Sequence, residues 1–271
     1  MPEANSNQWQ NKIAIAIFVF FTLWWIYIQS SSTTTDTLQH QIFAASYGLM
    51  AIWGGVWGIL ISRKWGFFKS LFGRSILMFS LGLLAQEFGQ LMYSFYIYFL
   101  KIEVPYPSLG DLGYFGSIPL YIYGAYLLGK ASGLKIGLKG FENKIAAVLI
   151  PLGMVLAGYF LFVQGHKIDM SAPLRTLLDF GYPLGQAIYI SFALLTYFLS
   201  RNLLGGVMRS KIFFIVIALM VQFLADYTFL FQASRETWYA GGLNDYLYLA
   251  SYSLMTLGLL QLGDVLKKLR T

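Results

Sequence analysis

Residues 75–99 read SILMFSLGLLAQEFGQLMYSFYIYF, and this stretch decides the fold. It contains one charged side chain, that of Glu87, about midway along its length. An α-helix rises about 1.5 Å per residue, so a helix over this stretch is longer than the roughly 30 Å hydrocarbon core of a membrane. The stretch is therefore predicted to be a transmembrane helix that carries an acid near its centre.

Seven further runs of about 20 mainly apolar residues lie along the chain. Together the eight runs predict an all-α, polytopic membrane bundle that forms one integral membrane domain over residues 1–271. The loops are short, so neighbouring helices are expected to pack antiparallel. The predicted spans are about 12–30, 41–62, 75–99, 111–130, 144–164, 177–200, 211–232 and 245–266.

Basic residues are distributed unevenly between the two ends of these spans. One end has Lys12, Arg63, Lys64, Lys69, Arg74, Lys130, Lys135, Lys139, Lys144, Arg201, Arg209, Lys211, Lys267, Lys268 and Arg270, and the other has only Lys101, Lys167, Arg175 and Arg235. The positive-inside rule therefore predicts that both termini are cytoplasmic. The net charge of +7 is then explained by contact with anionic lipid headgroups, and nucleic acid is not an expected partner.

Three of the predicted outside-to-inside helices open with the same signature, Asp-x-x-Tyr. The pairs are Asp111 with Tyr114, Asp179 with Tyr182, and Asp245 with Tyr248. Two interpretations stay open. An Asp at a helix start can simply cap the free backbone N–H groups, with the Tyr at the membrane interface. Alternatively, the three pairs converge at the outer mouth of the bundle and line a ligand pocket.

The positions of the first and third pairs also suggest an internal repeat. Asp111 and Asp245 are 134 residues apart, which is close to half of the chain. A duplicated four-helix unit would give this spacing, and its two halves would have parallel orientation because four is an even number of spans.

Polar side chains also occur at bilayer depth in the third and seventh predicted spans. Glu87, Gln90 and Ser94 share one helical face, and Gln222 and Asp226 share another. A charged group costs about 2.5–3.5 kcal/mol at this depth and usually faces the bundle interior or a wet cavity. Glu87, Gln90, Gln222 and Asp226 are therefore candidate ligand-binding positions, although buried carboxyl groups can also serve only to hold helices together.

Several chemistries have no support in the sequence. There is no Cys, and the only histidines, His40 and His166, lie at predicted loop or helix ends. No predicted span has a central Lys that could hold retinal, and no hydrolase or phosphate-binding motif occurs. We therefore expect no metal site, no cofactor and no assigned catalytic residue.

Four segments resemble an eight-span membrane module found ahead of bacterial diguanylate cyclase (GGDEF) and phosphodiesterase (EAL) domains. Residues 107–114, PSLGDLGY, resemble its "PSLADxxY" stretch, and residues 181–186, GYPLGQ, its "AYPLGD" segment. Residues 223–227, FLADY, resemble its "LLADxxY" helix, and residues 243–252, LNDYLYLASY, its "LLDLxWLLGY" ending. This chain departs from the module at Gln186, where the module has Asp.

The resemblance implies a signal-input module in a bacterial or archaeal cytoplasmic membrane. The sequence ends at Thr271, shortly after the last predicted span, so we expect no output domain and a separate effector protein as partner. The leading hypothesis is thus a membrane-embedded binding or sensory module for a small apolar or amphipathic ligand.

Two other functions remain as alternatives. The first is an intramembrane lipid hydrolase, because the layout also resembles the lysoplasmalogenase-like family, in which paired carboxylates such as Glu87 and Asp226 would provide acid–base catalysis. The second is a proton-coupled transporter, although the spans show no clear interruption at matching positions.

Overall fold

The computed structural model describes residues 8–31, 34–35, 37–133, 138–164, 168–200, 206–233 and 235–270. These residues form α-helices joined by short loops, and no β-strand occurs among them. The helices are α1 (Gln8–Ser31), α2 (Leu38–Ser46), α3 (Leu49–Lys64), α4 (Leu71–Ser94), α5 (Leu109–Ala131), α6 (Phe141–Gly158), α7 (Pro173–Ser200), α8 (Gly206–Ala233) and α9 (Leu243–Arg270). Lys135, His166, Lys167 and Arg201, which entered the sequence predictions, lie outside the described residues.

The all-helical prediction is confirmed. Six helical segments are long and apolar enough to cross a membrane, which supports an integral membrane protein. They are Trp9–Ser31, Leu38–Lys64, Leu71–Leu100, Phe141–Val163, Pro173–Leu199 and Ser210–Ala233. Two of them include a π-helical last turn, Phe95–Leu100 after α4 and Tyr159–Val163 after α6.

The second predicted span, 41–62, is not one continuous helix. It is divided into α2 and α3 at Tyr47 and Gly48. A Cβ built on Gly48 would collide with the carboxyl group of Glu87 from α4. Glycine at this position therefore lets a bulky polar group approach the backbone, and its poor helix propensity favours the break.

Six of the helices close into a ring in which each packs against its two neighbours. The order around the ring is α3, α4, α5, α7, α8, α9 and back to α3. Helix α1 lies outside the ring against α9, α2 and α3, and α6 lies outside it against α7. Half of the 18 residues of α6 are consequently exposed and only Gly158 is buried, as expected for a helix at the outside of a bundle.

Two ring helices, α5 and α9, are absent from the six strongly apolar segments. Both helices bury polar side chains. The buried polar residues are Asp111 and Ser117 in α5, and Asn244, Asp245, Ser251, Ser253 and Thr256 in α9. These two helices are also the ones that open with the first and third Asp-x-x-Tyr pairs.

Helices α4 and α5 approach most closely where Gly89 and Gly113 face each other. A Cβ built on Gly113 would lie 2.5 Å from the backbone nitrogen of Gly89 and would also collide with the carbonyl oxygen of Ala85. Backbone atoms within a helix cannot move aside as the end of a flexible side chain can. Gly116, one turn later, has no neighbouring heavy atom within 4 Å of its Cβ position.

These two glycines provide a matched test of the α4–α5 packing. Gly113→Ala is expected to destabilise the protein by about 1–3 kcal/mol, because the added methyl group has no space. Gly116→Ala is expected to leave stability unchanged or to raise it by up to about 1 kcal/mol, because alanine favours the helix. Thermal unfolding of both variants in one detergent measures the difference. A Gly113→Ala variant as stable as Gly116→Ala would contradict the close approach.

Candidate functional site

A cavity of about 630 Å³ lies at the end of the ring where α4 and α8 end and α5, α7 and α9 begin. Its volume is within the range of about 300–1,000 Å³ typical of small-molecule sites. The cavity is lined by Tyr47, Gln86, Gln90, Tyr93, Tyr106, Asp111, Tyr114, Ile118, Leu161, Phe162, Gln164, Arg175, Leu178, Asp179, Tyr182, Pro183, Gln186, Asp226, Phe229, Leu230, Ala233, Trp238, Asp245 and Tyr248.

Most of the residues selected from the sequence meet in this one cavity. Its lining includes Gln90, Asp111, Tyr114, Asp179, Tyr182, Asp226, Asp245 and Tyr248. Glu87 and Gln222 are not part of the lining. The three Asp-x-x-Tyr pairs, distant from one another in sequence, therefore contribute to a common wall.

Asp111 both caps α5 and faces the cavity. Its Oδ2 accepts hydrogen bonds from the backbone N–H and the hydroxyl of Ser108, at 2.7 and 3.1 Å, and so completes a capping box. Its Oδ1 accepts a 2.6 Å hydrogen bond from the hydroxyl of Tyr182 on α7. The capping and pocket interpretations of this residue thus both describe the structure, one for each carboxyl oxygen.

Asp245 has the equivalent position in α9. It is the third residue of its helix, as Asp111 is of α5, and its Oδ2 accepts a 2.6 Å hydrogen bond from the backbone N–H of Gly241. The hydroxyl of Tyr47 is also within hydrogen-bonding reach of its carboxyl group. Asp245 is 3% exposed, so it is enclosed more completely than a cap at a water-facing helix end would be.

The second pair differs from the prediction, because Asp179 does not open its helix. Helix α7 begins at Pro173, which places Asp179 in the second turn. Its Oδ1 accepts a 2.8 Å hydrogen bond from the hydroxyl of Tyr106, and its Oδ2 lies 4.0 Å from Nε of Arg175. The prediction was wrong because Pro173 at the first helical position is a stronger start signal than the Asp that follows it.

Tyr106 and Arg175 form the rim of the cavity. Tyr106 is 42% exposed, and the side chain of Arg175 is 64% exposed. The guanidinium carbon of Arg175 lies 5.8 Å from the centre of the Tyr106 ring. Partial burial and the hydrogen bond to Asp179 raise the pKa of the Tyr106 phenol above its ordinary value, so this rim phenol stays a hydrogen-bond donor.

Gln90 connects the cavity wall to the broken second span. Its Oε1 accepts hydrogen bonds from the hydroxyls of Tyr114 and Tyr47, at 2.7 and 3.2 Å. Its Nε2 donates a 2.6 Å hydrogen bond to the carbonyl oxygen of Ala44 in α2. One amide therefore joins α4, α5 and the α2–α3 junction.

Asp226 accepts three hydrogen bonds, as many as Asp111, and all three come from side chains. Its Oδ2 accepts a hydrogen bond from Tyr189, and its Oδ1 accepts from Tyr248 and from Nε2 of Gln222, all at 3.0 Å. Gln222 lies behind the wall, and its Oε1 accepts a 2.9 Å hydrogen bond from Ser251. The predicted Gln222–Asp226 pair thus exists, with Asp226 facing the cavity and Gln222 supporting it.

Glu87 does not occupy the position that the sequence suggested. Its carboxyl group packs on Gly48 at the junction of α2 and α3, and it does not line the cavity. The side chain is 5% exposed, and its Oε2 has no hydrogen-bond partner among the described residues. Glu87 and Asp226 therefore do not share a site. Helical spacing correctly places Glu87 and Gln90 on the same face of α4. It cannot show that Gln90 lines the cavity while Glu87 packs on Gly48 at the start of α3.

Several lining residues were not selected from the sequence, notably Tyr47, Gln86, Tyr93, Tyr106 and Gln186. Tyr47 and Tyr106 lie at a helix break and in a loop, where no periodic pattern marks an inward-facing side chain. Gln186 appeared only as a departure from the resembling module. It is 3% exposed, and its Oε1 has no hydrogen-bond partner among the described residues. Gln186 could have been selected from the sequence, because it is a polar residue within an apolar predicted span, one turn after Pro183.

A second hollow of about 460 Å³ adjoins the cavity on its outer side. The two share Tyr93, Phe229, Ala233 and Trp238. The second hollow adds Glu103 and Glu236 from the loops that follow α4 and α8. Among the described residues, no group of three His, Asp or Glu side chains could hold a metal ion, so the site offers hydrogen bonds, charge and aromatic surface.

Two glutamines near Asp226 allow a test of this hydrogen-bond network. Gln222→Leu is expected to destabilise the protein by about 1–3 kcal/mol, because Asp226 loses a donor and Ser251 an acceptor. Gln186→Leu removes an amide whose Oε1 is unpartnered, so stability should be unchanged or higher. Thermal unfolding of the ligand-free variants measures both effects. Equal losses for the two variants would show that the network around Asp226 is not as described.

No protein-family model, curated protein or solved structure matches this chain. Its function therefore has to be argued from the cavity and the residues that line it.

Proposed function

We propose that this protein is an eight-span membrane module that binds a small amphipathic ligand in the cavity and acts as a signal-input unit. The observation that carries the proposal is the convergence of eight polar residues, all selected from the sequence, on one cavity of small-molecule size. Polar groups inside a membrane are costly, so their concentration around an open space favours a binding function over a purely structural one.

The proposed topology extends the six apolar segments by α5 and α9. Both are ring helices, and each is long enough to cross the hydrocarbon core, at 23 and 28 residues. With eight spans, both termini lie on the same side as the basic ends of α3 and α5, which carry Arg63, Lys64 and Lys130. The positive-inside rule then assigns that side to the cytoplasm and the cavity to the opposite, outer side.

The ring order supports a duplicated four-helix unit. In the first half α3 packs on α4 and α4 on α5, and in the second half α7 packs on α8 and α8 on α9. The contacts between halves also correspond, since α5 packs on α7 and α9 packs on α3. Asp111 and Asp245 occupy the same position in equivalent helices. This arrangement is the one expected of two parallel repeats related by an axis through the ring.

Ligand binding accounts for the site better than hydrolysis or transport. The lysoplasmalogenase-like hypothesis pairs Glu87 with Asp226, yet only Asp226 lines the cavity. The transport hypothesis needs interruptions at matching positions in the two halves, whereas the break at Gly48 lies in α2–α3 and its counterpart α7 is continuous.

The signalling role rests on the resemblance to the module that precedes diguanylate cyclase and phosphodiesterase domains. By that resemblance the protein resides in a bacterial or archaeal cytoplasmic membrane. The basic cytoplasmic ends of the helices would contact anionic lipid and a separate effector protein. Ligand occupancy of the outer cavity would be the input to that effector.

Because the chain has no cysteine, single-cysteine variants can test the topology directly. A membrane-impermeant maleimide added to intact cells should label Thr237→Cys, in the loop before α9. It should label Lys69→Cys, in the loop between α3 and α4, only after the membrane is permeabilised. Both side chains are exposed, so access across the membrane is the only difference. Labelling of Lys69→Cys in intact cells would reverse the orientation.

Native mass spectrometry of protein purified in mild detergent tests ligand binding. We expect a small molecule of defined mass to remain bound and to be lost or depleted in Asp226→Asn. The matched control is Asp264→Asn, because Asp264 lies near the other end of α9 and accepts a 3.2 Å hydrogen bond from Asn11. Bulk lipid alone on the wild-type protein, or equal depletion in both variants, would count against a dedicated site.

A further inference from the structure

The cavity wall has an excess of acidic groups that the protein itself does not neutralise. Four of its side chains are aspartates, and its only basic side chain is Arg175. Arg175 lies at the exposed rim and is 4.0 Å from Asp179. The hydrogen bonds that Asp111, Asp226 and Asp245 accept within the described part of the chain come from hydroxyl, amide and backbone N–H donors, which are neutral.

The same wall is rich in aromatic side chains. It contains six tyrosines, two phenylalanines and Trp238. Aromatic faces attract organic cations with about 0.5–2 kcal/mol each when water is excluded. An aromatic lining around unneutralised carboxyl groups is thus the environment that an ammonium group with an apolar body prefers, and that an anion avoids.

Two buried polar atoms of the wall have no hydrogen-bond partner among the described residues, the acceptor Oε1 of Gln186 and the donor Nε1 of Trp238, which also lines the outer hollow. Gln186 is 3% exposed. An acceptor without a donor, next to carboxyl groups, matches a ligand that donates hydrogen bonds or carries positive charge.

The outer hollow continues this charge pattern toward the membrane surface. Its lining includes Glu103 and Glu236 and no basic residue. Lys101 and Arg235, the neighbouring basic residues, line neither hollow, and the guanidinium of Arg235 lies 3.7 Å from the centre of the Phe231 ring. A cation that approaches the cavity from this side therefore meets acidic side chains first, which favours its association.

We propose that the ligand is an organic cation, an amine or quaternary ammonium compound with a small apolar body. This inference rests on the proposed ligand-binding function and specifies the chemical class that the cavity accepts. The ammonium group would lie among Asp111, Asp226 and Asp245, and the apolar body would contact the aromatic side chains toward Phe229 and Trp238.

The test uses three probes of the same shape and different charge. They are para-hydroxyphenyl-trimethylammonium, its neutral isostere para-tert-butylphenol, and the anion para-hydroxybenzenesulfonate. Each is equilibrated by dialysis with the full chain in lipid nanodiscs, and empty nanodiscs of the same lipid correct for partitioning. The cation is expected to bind at least about tenfold more tightly than the neutral isostere, which corresponds to about 1.4 kcal/mol, and the anion least tightly.

Variants that replace one aspartate by asparagine test whether the aspartates of the cavity wall cause the preference for the cationic probe. Asp226→Asn and Asp111→Asn keep the side-chain shape and should each reduce the cation-to-neutral affinity ratio several-fold, with little effect on the neutral probe. Asp264→Asn should leave the ratio unchanged. Thermal unfolding without probe verifies that each variant is folded. The comparison of the three probes on the wild-type protein tests the inference even if a variant fails to fold.

The outcomes separate this inference from the proposed function. Equal affinity for cation and neutral isostere, or tighter binding of the anion, overturns the inference while leaving a binding cavity. Binding of none of the three probes above empty nanodiscs also overturns it, and native mass spectrometry then decides separately whether the cavity holds any ligand.

Discussion

Hydrocarbon cannot hydrogen-bond to a carboxyl group or to a phenol, and this constraint organises the whole bundle. Asp111 and Asp226, two of the acidic side chains beside the cavity, accept hydrogen bonds from tyrosines of a neighbouring helix. Tyr182 of α7 donates to Asp111 of α5, and Tyr248 of α9 donates to Asp226 of α8. The polar groups therefore gather inside the ring, and α6, which lies outside it, has polar side chains only at Glu142, Asn143 and Lys144 in its first turn.

Some features of this arrangement depend on neighbouring residues in the sequence and could be predicted, whereas others depend on contacts between distant residues and could not. Length and hydropathy act locally, so the helices at 75–99 and elsewhere were predictable, and so was the recurrence of Asp-x-x-Tyr. The packing of Glu87 on Gly48 was not, because the two residues are 39 positions apart in the chain and meet only in the fold. Likewise, helical spacing showed that Gln90 and Glu87 share a face, but only the packing of α3 and α5 on α4 separates their environments.

The capping and binding roles of aspartate turn out to be compatible. A carboxyl group has two oxygens, and in Asp111 one completes the capping box while the other reaches across to α7. The cap at the start of α5 thereby fixes the position of the Asp111 carboxyl group at the wall, and one of the two carboxyl oxygens stays available for other hydrogen bonds. Asp245 likewise accepts a hydrogen bond from the backbone before its helix, whereas Asp179, inside α7, relies on side chains of the rim. Two of the three carboxyl groups are thus held by backbone geometry and one by exposed residues.

The side-chain amide of Gln90 connects the wall of the cavity to the short helix α2. Its carbonyl oxygen holds two phenols of the wall, and its amino group holds the backbone of α2, which is separated from α3 by the break at Tyr47 and Gly48. Without this amide, Tyr47 and Tyr114 would lose an acceptor and the carbonyl oxygen of Ala44 would lose a donor. The wall of the cavity is therefore one side chain away from α2, which packs against α1.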